Sequence, residues 1–126
     1  MTNRVLITGS RDWGDWGDWE CIYDALSPYR QPGATLVSGA CPSGADHIAE
    51  EIWKGWGLWV ERHPANWSLG KRAGLKRNQQ MVDLGADVCI AFRKNYSRGT
   101  THCANAATMA GIPTIWFTEG EDDEQS

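Results

Sequence analysis

Glycine-containing turns that carry a hydroxyl and a guanidinium are the first places where this chain could bind an anion. Residues 9–12 (Gly-Ser-Arg-Asp) follow a short apolar run. The glycine allows a tight turn, and the planar guanidinium of the arginine can form two hydrogen bonds to a phosphate. Residues 39–46 (Gly-Ala-Cys-Pro-Ser-Gly-Ala-Asp) follow the next apolar run and open a helical pattern, whose first N–H groups attract anions. The second turn is not a Walker A loop, because it lacks Gly-Lys-Ser/Thr, and it is not a GxGxxG loop. Because many turns between strand and helix contain glycine, each turn by itself also fits a purely structural interpretation.

A polar stripe on the longest predicted helix supplies a second cationic element. Gly74, Arg77, Asn78 and Met81 are spaced i, i+3, i+4 and i+7, so they share one helix face. If that face packs on a sheet, the guanidinium needs a carboxylate or a ligand anion as its partner, because an unpaired buried charge is costly. The alternative is that this stripe faces water while Leu75 and Val82 face the core.

A glycine and two threonines, residues 99–101, begin the last helical pattern. Threonine behind glycine is an ordinary helix N-cap. The N–H groups at such a helix start are equally suited to seat a phosphate. The sequence leaves both interpretations open for Thr100.

A short tryptophan repeat occupies residues 12–19 (Asp-Trp-Gly-Asp-Trp-Gly-Asp-Trp). Its period of three matches neither a strand nor a helix, and it is too short for a solenoid. One interpretation is a loop into the first helix with Asp15 or Asp18 as the N-cap. The other is an aromatic wall over a ligand, in which Trp13, or Trp67 further along the chain, stacks on the bound molecule.

Five apolar runs and four helical patterns alternate along the chain and must position these residues. The runs predict strands at residues 4–8, 35–38, 58–62, 88–92 and 113–117, and the helical patterns cover 19–26, 45–53, 69–84 and 100–110. Most of the runs are continuous rather than alternating, which is typical of strands covered on both faces. The order predicts an α/β, three-layer, Rossmann-like fold with a five-stranded, mainly parallel sheet and helices on both faces. Ligands of such sheets bind at the carboxyl ends of the strands, where the turns described above converge.

Length and composition are those of one ordinary domain. The chain has 126 residues, enough to bury about two-thirds of its extended surface. Hydrophobic residues make up 41% and charged residues 22%, which excludes wholesale disorder. No apolar run reaches the roughly 18 residues that span a bilayer, and no secretory signal pattern is present, so we expect a cytoplasmic protein. We predict one domain over residues 1–118 and an acidic, disordered tail over 119–126.

The net charge of −4 hides an uneven distribution. Five of the 16 acids lie in the last eight residues, so residues 1–118 carry 12 bases and 11 acids. Residues 60–100 carry eight bases and three acids, a net charge of +5. We expect this segment to contribute to the binding site of an anionic ligand. A solvated basic face is the alternative. The near-neutral body argues against a nucleic-acid surface that covers the whole domain.

The four cysteines and three histidines do not have the spacing of metal ligands. We therefore predict no metal site, and we expect the cysteines to be small buried residues or free thiols. Cys103 lies one turn into a predicted helix, whose N-terminus can lower the pKa of a thiol. Packing is the alternative role for this residue.

A series of short motifs resembles a known family. In chain order they are Leu-Ile-Thr-Gly-Ser-Arg-Asp-Trp at 6–13, Val-Ser-Gly-Ala at 37–40, Ser-Gly-Ala-Asp at 43–46, Pro-Ala-Asn-Trp at 64–67, Arg-Asn-Gln-Gln-Met at 77–81 and Gly-Thr-Thr-His-Cys at 99–103. Together they resemble the YspA, cpYpsA-related branch of the SLOG superfamily, which also contains the Lonely Guy phosphoribohydrolases, often misnamed lysine decarboxylases, and the DprA DNA-processing proteins. The resemblance implies a Rossmann-like sheet, a site for nucleotides or nucleotide-derived ligands, and a bacterial or phage origin.

The resemblance also suggests roles for particular residues. It matches the phosphate-cradling turns of the family to Gly9, Gly39, Gly44, Gly99 and Thr100. Arg77 is similar in place to the arginine of the Lonely Guy N-glycosidic site. Those enzymes carry Pro-Gly-Gly-x-Gly-Thr-x-x-Glu with a catalytic glutamate, and here Cys103 stands in its place. Because cleavage through an oxocarbenium-like state needs a carboxylate, Asp46 and Asp12 are the obvious substitutes.

We therefore expect this chain to bind, and so to sense or process, a nucleoside monophosphate, an ADP-ribose-like molecule or a similar ligand. The predicted ligand-binding residues are Gly9, Ser10, Arg11, Gly39, Ser43, Gly44, Asp46, Lys71, Gly74, Arg77, Asn78, Gly99 and Thr100. The candidates for a catalytic role are Asp46, Asp12 and Arg77.

Two other functions remain open at this point. The first is an enzyme that hydrolyses the N-glycosidic bond of nucleotides. The second is single-stranded DNA binding with tryptophan stacking, as in DprA, which the acidic tail and near-neutral body disfavour. We expect no required cofactor, a small nucleotide-like partner, no membrane association and no nucleic acid. Because relatives are commonly dimers, the resemblance also implies a homodimer.

Overall fold

Five strands alternate with four helices in the computed structural model of the chain, which describes residues 4–70, 72–94 and 97–119. The strands are β1 (Arg4–Gly9), β2 (Thr35–Ser38), β3 (Trp59–Arg62), β4 (Val88–Lys94) and β5 (Thr114–Glu119). The helices are α1 (Trp16–Leu26), α2 (Ala45–Gly55), α3 (Arg72–Leu84) and α4 (Arg98–Met109), with short 3-10 turns at Ser27–Tyr29 and Trp67–Leu69. The predicted α/β class is confirmed.

All five strands are parallel and form one sheet with the order β3-β2-β1-β4-β5. Leu6 at the centre of β1 pairs with Val37 on one side and Cys89 on the other. The chain builds outward from β1 to β3, and α3 then carries it back to β4 on the opposite side of β1. The strand order therefore reverses between β1 and β4, where parallel sheets open a crevice at their carboxyl ends.

Apolar side chains are buried on both faces of the sheet, which explains the continuous runs in the sequence. Val5 and Ile7 belong to a cluster that contains apolar residues of α1 and α2, whereas Leu6 between them belongs to a second cluster with residues of α3 and α4. All three side chains are fully buried. Successive residues of one strand thus serve two cores, and the fold has the predicted three layers.

Helix α1 begins inside the tryptophan repeat because two aspartates cap it. Asp15 is the N-cap, and its carboxylate accepts a hydrogen bond from the Asp18 N–H at 2.9 Å. The Asp18 carboxylate accepts in return from the Asp15 N–H at 3.2 Å, which completes a capping box. The helix therefore starts at Trp16, three residues before the predicted start, and the loop interpretation of the repeat is supported.

Helix α4 also begins earlier than predicted. Ser97 is its N-cap, and the Ser97 hydroxyl accepts a hydrogen bond from the Thr100 N–H at 3.4 Å. Thr100 is therefore a buried residue within the first turn, so the interpretation of Thr100 as the N-cap is wrong. A serine two residues before the glycine satisfies the helix end in its place.

Two further predictions concern the chain as a whole. Within residues 4–70, 72–94 and 97–119, no helix is long and apolar enough to cross a membrane. The predicted tail lies, apart from Glu119, outside the described residues, as does Lys71. The division into a domain over 1–118 and a tail over 119–126 therefore stays a prediction.

Candidate functional site

A cavity of about 1020 Å³ opens at the carboxyl ends of β1, β2 and β4, beside α3. This volume is at the upper end of the range for small-molecule sites, roughly 300–1,000 Å³. Eleven of the predicted ligand-binding or catalytic residues lie along its wall, namely Gly9, Ser10, Arg11, Asp12, Gly39, Asp46, Gly74, Arg77, Asn78, Gly99 and Thr100. The topology brings them together because parallel strands end at one edge of the sheet.

Two of the predicted ligand-binding residues do not line this cavity. Ser43 is exposed, and Gly44 is buried at the N-cap of α2 with a φ of 79°. A Cβ at Gly44 would collide with the Ser10 carbonyl oxygen and the Arg11 Cα, and the next N–H, from Ala45, donates to Ser10 O at 3.1 Å. Gly44 therefore allows two turns to pack against each other. The corresponding prediction for Lys71 concerns a residue outside the described part of the chain.

Arg77 turns its guanidinium toward the turn after β2. Its Nη1 donates to the Gly39 carbonyl oxygen and, at 3.3 Å, to the His63 carbonyl oxygen. Its Nε donates to Asn78 Oδ1 at 2.9 Å. A Cβ at Gly39 would lie 2.8 Å from Nη1, so glycine is needed for this approach. The guanidinium thus holds the strand-end turns against α3 and places a positive charge at the cavity wall.

The polar stripe of α3 faces the protein interior. Gly74, Asn78 and Met81 are buried. Of the two residues that the alternative places in the core, Val82 is buried but Leu75 is 41% exposed. The alternative in which the stripe faces water is therefore wrong. Asn78 Nδ2 donates to the Gly99 carbonyl oxygen at 3.2 Å, which ties α3 to the first turn of α4.

Asp46 is the most enclosed ionisable group of the cavity. Its side chain lines the cavity, although the residue is only 6% exposed. Its Oδ2 accepts a long hydrogen bond from the Cys41 N–H at 3.5 Å, whereas no described residue donates to Oδ1. Burial raises the pKa of Asp46 to about 7, against the opposing effect of the Arg77 charge. The carboxyl can therefore hold or release a proton near neutral pH.

Asp12, the other carboxylate considered for a catalytic role, lies at the rim. Its side chain is exposed, and its carbonyl oxygen accepts a hydrogen bond from Lys94 Nζ at 3.3 Å. The Ser10 hydroxyl, which was also predicted to bind ligand, accepts from the Lys94 N–H at 2.9 Å. The structure thus gives Ser10 a part in joining β1 to β4, and it leaves Asp46 as the one buried carboxylate of the cavity wall among the described residues.

Lys94 lines the cavity but was not among the predicted site residues. Its Nζ lies 3.1 Å from the Asp18 carboxylate. Burial alone would raise the pKa of Asp18, but hydrogen bonds from the Gly14 N–H and from Lys94 lower it overall. The sequence signals for Lys94 were its position just after a predicted strand and its place in the basic segment 60–100.

The basic segment is partly neutralised by acids from other parts of the chain. Lys94 pairs with Asp18, and Arg62 Nε lies 3.1 Å from Glu50, a buried acid of α2. Both acids lie outside residues 60–100. The net charge of +5 in that segment therefore overstates the positive charge that faces the cavity.

The aromatic side chain at the cavity comes from a different segment than the repeat. Trp13 is 3% exposed and packs edge-on against Phe92, with 5.3 Å between the ring centroids, so its predicted stacking on a ligand is wrong. Burying this large apolar ring in the core is favourable. Trp67 lines the cavity and is 53% exposed, and the Arg11 guanidinium carbon lies 5.9 Å from its ring centroid. A Cβ at Gly74 would lie 2.8 Å from Trp67, so this glycine makes room for the indole.

Cys103 is a buried core residue rather than a reactive thiol. Burial, with a smaller contribution from the negative charge of Asp46, raises the pKa of Cys103 to about 11. The lowering expected from the helix N-terminus is wrong, because loss of hydration outweighs it. Cys89 is also buried, and in the described part of the chain no group of three or more His, Cys, Asp or Glu residues could hold a metal ion.

The sequence of this chain is similar to a described protein family and to a phage protein. Residues 3–70, which contain the first three strands, α1 and α2, match the family described as YspA, cpYpsA-related SLOG family. The chain is 46% identical over 122 residues to the Gene 61 protein of Mycobacterium phage D29, in an alignment that covers 90% of this chain and 95% of that protein. No solved structure matches the chain significantly.

Proposed function

Because this chain belongs to the YspA, cpYpsA-related SLOG family, we propose that its cavity binds a nucleotide or a nucleotide-derived ligand. Nucleoside monophosphates and ADP-ribose-like molecules are the expected classes. One observation carries the proposal: a helix N-terminus, an exposed guanidinium, an enclosed carboxyl and an indole line the same cavity. A nucleotide has matching groups: its phosphate suits the helix N-terminus and the guanidinium, its ribose suits the carboxyl, and its base suits the indole.

The phosphate is proposed to lie at the first turn of α4. Gly99 and Thr100 line the cavity there, so the positive end of the helix dipole faces the ligand. Arg11, exposed at the rim, adds a guanidinium that can form two parallel hydrogen bonds to phosphate oxygens.

Calorimetric titration with a panel of nucleoside monophosphates, NAD and ADP-ribose tests the proposal. We expect heat of binding for at least one member of the panel. Arg11→Ala should weaken phosphate-bearing ligands about tenfold and leave the corresponding nucleosides unaffected, because a charge-assisted hydrogen bond is lost. Arg30→Ala is the matched control, since Arg30 is exposed and does not line the cavity. Absence of heat with every member of the panel contradicts the proposal.

Hydrolysis of the nucleotide N-glycosidic bond is the second candidate function, and Asp46 is the observation that favours it. A carboxyl with a pKa of about 7 is suited to general acid–base chemistry, and its charge acts on Cys103, which occupies the place of the Lonely Guy glutamate. Incubation with monophosphates should then release free base and ribose 5-phosphate, and Asp46→Asn should stop the release. Unchanged monophosphates at high protein concentration would exclude this activity.

A further inference from the structure

The cavity presents its chemistry in a fixed order along the edge of the sheet. The strand order β3-β2-β1-β4 places Trp67 after β3, Asp46 after β2, Arg11 after β1 and the Gly99–Thr100 turn after β4. Neighbouring strands are about 4.8 Å apart, so the strand ends from β3 to β4 span roughly 14 Å. The Arg11 guanidinium does not keep this spacing, because its carbon lies 5.9 Å from the Trp67 ring centroid. An aromatic surface stands at one end of this line, an anion site stands at the other, and a carboxyl lies between them.

The carboxyl in the middle has an unmet requirement for a hydrogen-bond donor. Asp46 is more than nine-tenths buried, and its Oδ1 receives no hydrogen bond from any described residue. A buried acceptor without a partner is unfavourable, and a carboxylate repels phosphate. A bound molecule that brings a hydroxyl or an N–H to this carboxyl supplies a hydrogen bond that a phosphate cannot supply.

In a nucleotide, the group between base and phosphate is the ribose, whose donors are its two adjacent hydroxyls. We infer that Asp46 is the residue that recognises this diol, so that the cavity selects ribonucleotides over their deoxy counterparts. The inference rests on the proposed function, because it assumes a nucleotide that lies with its base at Trp67 and its phosphate at α4.

The charges around Asp46 set the conditions for a test. Arg77 and Arg11 favour the ionised carboxylate, whereas burial and the nearby Glu50 favour the protonated form, and the balance places its pKa at about 7. Cys103 is also within electrostatic reach, and Cys41 donates its N–H. At pH 8 the carboxylate is ionised and accepts hydrogen bonds most strongly.

The contact between Asp46 and the ribose is tested by measuring the affinity of three protein variants for three ligands at pH 8. The ligands are the monophosphate that binds in the panel titration and its 2′-deoxy and 3′-deoxy forms, and the proteins are the wild type, Asp46→Ala and His47→Ala. We expect the wild type to bind the ribonucleotide about tenfold more tightly than at least one deoxy form. Asp46→Ala should bind all three about equally, as weakly as the wild type binds the deoxy form. His47 is exposed on the same turn and does not line the cavity, so its variant should keep the preference.

The outcomes separate the inference from the proposed function. Equal binding of ribo and deoxy forms by the wild type overturns the inference and leaves nucleotide binding intact. A preference that survives in Asp46→Ala also overturns it, because another group then recognises the hydroxyl. If no nucleotide binds the wild type, the proposed function fails as well. If Asp46→Ala does not fold, Asp46→Asn, which keeps the volume and removes the charge, should reduce the preference, and an unchanged preference overturns the inference.

Discussion

At the scale of single residues, Asp46 is an ionisable side chain held where water has little access. Burial raises its pKa from 3.8 to about 7, and only one of its two oxygens has a partner among the described residues. Between these two pH values the folded protein holds a proton that the unfolded chain releases. The contribution of Asp46 to the free energy of unfolding therefore falls as the pH rises from about 3.8 to about 7. A group that lowers stability while it faces a cavity is typical of a functional residue.

Asp46→Asn should consequently be more stable than the wild type at pH 8, by about 2 kcal/mol, and closer to the wild type at pH 4. The physical reason is that the amide occupies the same volume without a charge to desolvate. Urea unfolding at the two pH values measures the difference. Asp24→Asn, at an exposed position of α1, is the control and should show no such pH-dependent gain. An Asp46→Asn variant that is destabilised equally at both pH values would contradict the argument.

At the scale of elements, one guanidinium joins α3 to the turns after β2 and β3. Arg77 donates to the carbonyl oxygens of Gly39 and His63, and neighbouring Asn78 donates to Gly99. Because these contacts involve backbone carbonyls, the geometry of two strand-end turns and of the first turn of α4 depends on the position of α3. The shape of the cavity is set by this packing.

Gly39→Ala tests the junction. The added Cβ would lie 2.8 Å from Arg77 Nη1 and would displace the guanidinium, so we expect a loss of about 1–3 kcal/mol in the free energy of unfolding. Chemical denaturation gives this value, and the variant should also bind the panel ligand less tightly. Gly55→Ala is the matched control, because Gly55 lies at the end of α2 with open space around it and should tolerate alanine. A Gly39→Ala protein as stable as the wild type would show that α3 does not depend on this contact.

At the scale of the whole molecule, an ion-pair network joins the first strand to the third across β2. Arg4 forms two hydrogen bonds to the Glu61 carboxylate, at 2.8 and 3.0 Å, and His63 Nε2 lies 2.7 Å from the same carboxylate. The Arg4 hydrogen bonds, followed by that of His63, lower the pKa of Glu61 from 4.5 to about 2. Because His63 also accepts a hydrogen bond from Arg77, the network reaches the cavity.

This network predicts how the free energy of unfolding changes as the pH falls. A lowered carboxyl pKa contributes stability that is present above about pH 4.5 and is lost as the pH falls toward 2. Glu61→Gln should therefore be less stable than the wild type at pH 6, by about 1–2 kcal/mol, and the gap should shrink between pH 4.5 and 2. Urea unfolding at pH 6, 4 and 3 follows the gap, with exposed Glu51→Gln as the control. A gap that stays constant down to pH 3 would rule out the ionised pair as its source.

The sequence by itself determined the class of fold and the edge of the sheet where the cavity lies. Runs such as Val5-Leu6-Ile7 are apolar at every position because both faces are covered. Glycine follows directly on several elements, as Gly39 follows β2 and Gly85 follows α3. These signals are local, so they can be seen without the tertiary structure. Since parallel strands share one carboxyl edge, the residues that follow them could be assigned to one place.

Only the tertiary structure decided which of those residues face the cavity and which pack against each other. Gly39 and Gly44 look alike in the sequence, yet one borders the cavity and the other fits between two turns. Trp13 enters the core while Trp67 reaches the cavity, and Lys94 finds its partner in Asp18, 76 residues away. Such outcomes depend on distances between segments that are remote along the chain, and residue type and spacing carry no record of those distances. The unpartnered oxygen of Asp46 is of the same kind, because burial and missing donors arise only when the layers have packed.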